Sequence, residues 1–220
     1  MPCRGLNLPA MNDPIKETVL QLLKDVWESD EFRLLDTERT RALRLELLTR
    51  ALGTVMTDDE RALANRLPAG CRMREGAKIL SPERLICGEY VWIGEGVIVD
   101  ASGGLEIGDH TTLGSGCYIW SHSSAMANIL MDNRSGNPYI VRSKTRIGRG
   151  SFVGGPSVVY PGISIGDRCI VMPMSVVNFD VPDNTMVGGS PAKVIKQIDK
   201  AYIARFKATL EQRLEGRGVQ

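Results

Sequence analysis

The chain has 220 residues, of which 43% are hydrophobic and 24% charged, and a formal net charge of +1. That suits one sizeable domain with a small appendage, and it leaves no electrostatic footprint for a nucleic acid or an anionic membrane surface. No apolar run approaches the ~18 residues of a membrane-spanning helix, so no membrane insertion is expected.

The opening stretch, MPCRGLNLPAMNDP, is too short and too polar for a secretory signal. The five cysteines (Cys3, Cys71, Cys87, Cys117 and Cys169) are odd in number and lack CxxC spacing. Neither a disulfide framework nor a zinc site is expected, and the compartment is read as the reducing cytoplasm.

Residues 1–78 read as a helical N-terminal region. Apolar residues recur at helical spacing from Glu17 to Trp27. A second helix is expected after Asp36, which can cap it, with Leu43, Leu47 and Leu48 on one face. A third begins at Thr57-Asp58-Asp59-Glu60, a capping box in form, and stops before Pro68.

From about Leu85 helical spacing gives way to a period of six. Ile93 and Val99 lead, and a two-residue insertion at Gly103-Gly104 resets the frame to Ile107, Leu113 and Ile119. After a long interruption it resumes at Val141, Ile147, Val153, Val159, Ile165, Val171 and Val177. Four residues beyond each anchor stands a small or β-branched residue, such as Thr111, Cys117, Ser151, Ser157 or Ser175. A helix face repeats every 3.6 residues and cannot produce this. Short extended segments joined by corners can, with Gly or Asp at the corners, as in a hexapeptide β-helix. The expected fold is mainly β: a parallel β-helix at 79–197 with a loop at 124–140, followed by a C-terminal helix at 198–220. In that helix Tyr202, Phe206 and Leu210 stand at helical spacing and are expected to pack on the coils.

Residues 85–197 resemble the hexapeptide-repeat acyltransferases. The most specific part is the close: Val159-Tyr160-Pro161-Gly162-Ile163-Ser164-Ile165-Gly166-Asp167, Ser175-Val176-Val177-Asn178-Phe179-Asp180-Val181-Pro182 and Val187-Gly188-Gly189-Ser190-Pro191-Ala192-Lys193. These segments are similar to the last coils of maltose, galactoside and polysaccharide O-acetyltransferases. The resemblance implies a left-handed triangular prism, three hexads per coil, assembled as a homotrimer.

Acetyl transfer needs a base for the acceptor's proton and donors for the oxyanion. The chain has two histidines, too few for the three-histidine zinc site known on this prism, and no metal is expected. His110, in the corner Ile107-Gly108-Asp109-His110, reads as a solvated turn residue. His122 closes the last coil before the frame breaks, where the resembling enzymes hold their catalytic histidine, and the resemblance makes it the general base. No cysteine stands in a Cys–His arrangement, so direct transfer is expected rather than an acyl-enzyme.

The resemblance also implies that the interruption packs over a neighbouring subunit and helps define the acceptor pocket. A loop that only seals the trimer is the other reading. Asp132, Asn133 and Asn137 can bond sugar hydroxyls, and Trp120 or Tyr139 can stack on a sugar ring. Stacking by whole coils sets Asp100 under Trp120, Ser102 under His122 and Pro156 over His122. Asp100 is then a candidate for the acceptor site or, with Glu95 as the other choice, for holding the His122 tautomer; a plain turn aspartate explains it equally.

For acetyl-CoA, the resemblance carries the pantetheine groove onto Gly155, Pro173 and Asn178, and the CoA phosphates onto Lys193 and Lys196. Pro173 stands where Ala or Gly is usual and has no N–H to donate. Asn178-Phe179 stands for the usual Thr-Lys, and the early-coil Asn of several sugar acetyltransferases is missing from Trp92-Ile93-Gly94-Glu95-Gly96. The expected function is acetyl transfer from acetyl-CoA to a sugar hydroxyl or amino sugar of a polysaccharide or nucleotide-sugar precursor. A non-sugar small-molecule acceptor and a non-enzymatic scaffold are the alternatives.

Overall fold

The computed structural model describes residues 53–132, 134 and 137–215, with scattered positions between 21 and 47. The chain divides into two units, residues 1–48 and 49–220, and the second holds every strand described below. The helices expected at 17–27 and after Asp36 lie outside the described residues, apart from such helical positions as Gln21, Asp25, Leu43 and Leu47.

The third helix, α1, spans Asp58–Ala64. Thr57 caps it: its hydroxyl accepts from the Glu60 N–H, and the Glu60 carboxylate accepts from the Thr57 N–H at 2.7 Å. Asp58, Asp59 and Glu60 fill the first turn, where the helix dipole favours negative charge. Arg61 then ties the helix to the first coil by donating to the Met73 carbonyl at 3.2 Å.

Strands begin at Arg72, inside the stretch expected to be helical. From there the chain winds as a parallel β-helix with three faces, each face a parallel sheet held by one aliphatic ladder. On the first, Met73, Ile93, Leu113, Val153, Val171 and Val187 stand in register. The second aligns Ile79, Val99, Ile119, Val159 and Val177. The third aligns Cys87, Ile107, Ile147 and Ile165, with Val181 bridged to Ile165. A strand at Lys193–Gln197 pairs antiparallel with Thr185–Gly188 and closes the first face.

Eleven of the twelve hexad anchors read from the sequence are 0–1% exposed. Each such Val or Ile is worth about 1.5–3 kcal/mol when buried, so the ladders carry the fold. The small residues four places on turn into the corners and bond neighbouring backbone. Thr111 donates to the Gly148 carbonyl and Ser151 to the Gly166 carbonyl, each at 2.8 Å. Among the described residues no buried side-chain polar atom lacks a partner.

Val141 is the exception among the anchors, at 49% exposed. It lies in an excursion from the prism between Ser121 and Lys144, paired with the outgoing chain and not stacked on a coil. Without that false rung, the residue above Ile119 is Val159, not Val153. Pro156 accordingly does not sit over His122; it stacks beside Gly116 at another corner.

The C-terminal helix, α3 when the short helix of the excursion is counted as α2 (Ala125–Ile129), spans Lys200–Glu215. It is not packed on the coils. Ile203, Phe206, Leu210 and Leu214 are 42–66% exposed, and the helix is anchored at its start, where Ile198 is buried and the Lys196 ammonium lies 4.0 Å from the Tyr202 ring centroid. No helix among the described residues is long and apolar enough to cross a membrane.

Candidate active site

Ile98–Asp100 and Tyr118–Ile119 are neighbours in the second face, twenty residues apart in register. Each strand runs out at the next corner, so Asp100 and the turn Trp120-Ser121-His122 meet there. Asp100 is fully buried. Its Oδ2 lies 2.6 Å from His122 Nδ1 and accepts from the Ser121 N–H at 3.0 Å and the Ser121 hydroxyl at 3.2 Å. Its Oδ1 accepts from the Ser102 N–H at 3.1 Å. Burial alone pushes this carboxyl up, but the bonds from Ser121, His122 and Ser102 outweigh it and hold the group below the usual carboxylate range.

Asp100 is therefore ionised and only accepts, so the single hydrogen of a neutral His122 ring sits on Nδ1. Ser102 Oγ, 3.0 Å from the same nitrogen, supports that edge of the ring. Nε2 has no hydrogen-bond partner among the described residues, and the His122 side chain is 32% exposed. An imidazole held this way presents a free lone pair to whatever reaches it. The corner behind is close-packed. Ser121 Oγ accepts from the Gly103 N–H at 2.8 Å, and a Cβ on Gly103 would stand 2.0 Å from the Ser121 carbonyl oxygen, so only glycine fits there.

Trp120 meets the His122 ring edge-on at 6.2 Å between centroids and stacks on Tyr118 at 5.9 Å. The excursion after His122 pairs back antiparallel, with Val141 opposite Ser123 and Arg142 opposite His122. Within it Asp132 is engaged by Arg134 through two hydrogen bonds of 2.8 and 2.9 Å. Asn137 is buried, donating to the Asp132 carbonyl and accepting from the Tyr139 N–H at 2.7 Å. Both therefore hold the loop together. Tyr139 is 46% exposed, and Asn133 lies outside the described residues.

Of the residues read as candidate acceptor contacts, Trp120 stands beside His122, whereas Asp100 lies behind it, too deep to touch an acceptor. Glu95, the other carboxylate considered for His122, is exposed at a corner between the first and second faces. His110 is an exposed corner residue stacked on Tyr90 at 5.0 Å.

The residues expected to hold acetyl-CoA fall into three places. Gly155 and Pro173 occupy the same corner in successive coils. A Cβ on Gly155 would lie 1.9 Å from the Ser115 carbonyl oxygen, so packing against the coil below is reason enough for this glycine. Asn178 is exposed on the corner of Trp120 and Tyr160, two coils along from Trp120. Lys193 and Lys196 are exposed on the closing strand.

Burial raises the thiols of Cys87 (to about 12), Cys117 and Cys169. They stay neutral, as structural cysteines do.

Two residues at the site carry no role that their sequence context assigns, Ser121 and Arg142. The twenty-residue coil spacing that places Asp100 under Trp120 also reaches Ser121; nothing in the repeat reaches Arg142, whose position depends on how the excursion returns.

Comparison with known proteins agrees with this architecture. A model described as the hexapeptide repeat of succinyl-transferase matches residues 144–172, so the chain carries that repeat. WcaF of Escherichia coli K12, named for colanic acid biosynthesis and acetyl transfer, is 29% identical over 127 residues, covering 57% of this chain and 65% of its own. The chain thus spans just under two thirds of that relative's length. A maltose O-acetyltransferase from Clostridium difficile 630 superposes with a TM-score of 0.54 at 26% identity, covering 71% of this chain and 86% of that one. The hexapeptide-repeat-containing acetyltransferase VCA0836 of Vibrio cholerae gives a TM-score of 0.50 at 25% identity, covering 79% and 96% respectively.

Proposed function

We propose that this chain is an acetyl-CoA-dependent acetyltransferase whose acceptor is a sugar hydroxyl or an amino sugar of a polysaccharide or nucleotide-sugar precursor. The observation that carries the reading is the 2.6 Å contact between His122 Nδ1 and the buried Asp100 carboxylate, which leaves Nε2 free at an accessible edge. The names of the similar proteins, acetyltransferases of sugars and polysaccharides, support the chemistry and the acceptor class.

In this reading Nε2 takes the proton of the acceptor O–H or N–H as that atom bonds to the acetyl carbonyl carbon. The carbon–sulfur bond breaks, and the imidazolium returns its proton to the departing thiolate. Asp100 stabilises the imidazolium between the two transfers and keeps the ring from turning. Transfer is direct, since the neutral buried thiols offer no nucleophile. Acetyl-CoA supplies the activated acyl group. Lys193 and Lys196, exposed cations on one strand, suit its phosphates, and Gly155, Pro173 and Asn178 are assigned to the pantetheine arm. Trp120 and Tyr139, with Asn133 of the excursion, are assigned to the acceptor side, where Trp120 already borders the histidine; Asp132, bonded to Arg134, supports the loop. The working unit is a homotrimer, for which light scattering giving a stable monomer would be the contrary result.

The test is thiol release from acetyl-CoA with a panel of sugars, amino sugars and non-sugar alcohols and amines. Acetylation of a member of the first two groups, well above the hydrolysis background, is expected. Release with none of them, or only with non-sugar acceptors, would overturn the assignment.

A further inference from the structure

We infer that Arg142 makes this an acceptor site for an acidic sugar, one bearing a phosphate or carboxylate within reach of the histidine. The inference rests on the acetyltransferase reading and names its substrate class more narrowly.

The strands His122–Ser123 and Val141–Arg142 pair antiparallel, with Arg142 directly opposite His122. Residues so paired project from the same side of a ribbon, with Cβ atoms about 4.5–5.5 Å apart. A guanidinium is thereby delivered beside the imidazole on the side that faces solvent: Arg142 is exposed and His122 partly so. The other cations of residues 134–149 are all ion-paired. Arg134 is held by Asp132 at 2.8 Å and Lys144 by Glu106 at 2.8 Å. Arg146 and Arg149 share Asp167 at 3.2 and 2.9 Å. The Arg142 side chain alone in this group has no hydrogen bond or ion pair among the described residues.

Neither Asp132 nor Asp100 is available as its counter-ion. Asp132, the one acidic side chain of residues 124–140, is taken by Arg134, and Asp100 is sealed behind the imidazole by four donors. The open side of His122 therefore carries, in Arg142, an unpaired planar fork of donors near the Trp120 ring. A neutral sugar would use the ring and give the fork only single bonds to hydroxyl oxygens, leaving its charge unpaired. A sugar phosphate, a nucleotide diphosphate sugar or a uronic acid would use both, because phosphate and carboxylate each accept a guanidinium through two parallel bonds. The anion also sets the pose: pinned at Arg142, the sugar turns a hydroxyl or amine toward Nε2.

The experiment is binding to CoA-saturated protein, so that the CoA phosphate site is already filled, using UDP-glucose, glucuronate and methyl glucoside as probes. Calorimetry gives the affinity, and the imidazole NMR signals report on the site, since the chain has only two histidines. At least one of the two anionic probes is expected to bind and to shift the His122 signals. Arg142→Gln is expected to weaken that probe about 10- to 100-fold, the range for losing a charge-assisted hydrogen bond, and Arg142→Lys to recover part of the loss. Arg205→Gln in α3 removes a distant cation and should change nothing. Binding of UDP-glucose alone points to a phosphate, and binding of glucuronate to a carboxylate. Methyl glucoside binding as tightly as both anions, or an anion held equally by wild type and Arg142→Gln, overturns the inference. Because binding is read without turnover, that failure is distinct from an absence of acetyl transfer, which would count against the proposed function instead.

Discussion

At the corner between the third and first faces, Asp109, Asp167 and Asp183 each accept a backbone N–H from the neighbouring coil, at 2.9, 3.0 and 2.8 Å. At the corner between the second and third faces, Asp100 also accepts backbone N–H groups from Ser102 and Ser121, yet its shortest bond goes to an imidazole. The two corners start from the same side chain and the same need, which is to satisfy N–H groups where a coil turns. They differ in what completes the shell. Asp167 is closed by Arg149 and Arg146, so its charge is spent within the fold. Asp100 is closed by a ring whose second nitrogen remains open. A carboxylate at a β-helix corner is thus structural by default, and it becomes part of a site when one donor has a further face turned to solvent.

That contrast can be broken first at the scaffold both corners share. Val153 is fully buried in the first ladder, and Val153→Asp would place an unpaired charge there without a partner. No soluble folded protein is expected; normal expression and melting would overturn the frame of the coils. A smaller effect separates the corners themselves. Asp100→Asn is expected to cut kcat at least about 10-fold, the worth of a charge-assisted hydrogen bond, and to lower the melting temperature as well, since buried donors lose their carboxylate. Asp167→Asn should lower the melting temperature by a few degrees and keep the rate. Equal rate losses in both variants would erase the distinction.

The smallest expected effect is in acid. Asp167 is held below the usual carboxylate range chiefly by its bond from Arg149. Asp100 is held there, against burial, by Ser121, His122 and Ser102. A carboxylate lowered on folding stabilises the fold in full above about pH 4 and loses that contribution as the pH falls through its folded value. Wild type should therefore lose stability below about pH 4 more steeply than Asp167→Asn, and chemical denaturation at pH 3 and pH 7 measures the difference. Parallel slopes would contradict the assignment.

Much of this was legible in the residues. A period of six cannot come from a helix, so Ile93, Ile119, Ile147 and Val171 declared the coils, and the twenty-residue spacing put Asp100 and Ser102 beneath the His122 turn. Val141 misled because it stands six residues before Ile147 although the chain has left the prism; periodicity counts residues and does not see an excursion. Pro156 was displaced by the same error, since one false rung shifts every later neighbour by a face. Arg142 had no signal at all, because an antiparallel return is set by the loop's own folding and not by the repeat. The C-terminal helix taught a related point: the spacing of Tyr202, Phe206 and Leu210 shows which side of a helix is apolar, not what covers it.

The central claim is that Asp100 and the free Nε2 make His122 a general base. It is tested most directly by kcat for His122→Ala at saturating acetyl-CoA with the best acceptor of the panel, beside His110→Asn, which changes the exposed histidine stacked on Tyr90. Loss of a general base should lower kcat roughly 100- to 10,000-fold, with acetyl-CoA affinity little changed, while His110→Asn stays within a few-fold of wild type. Full activity in His122→Ala, or an equal loss in His110→Asn, would contradict the account.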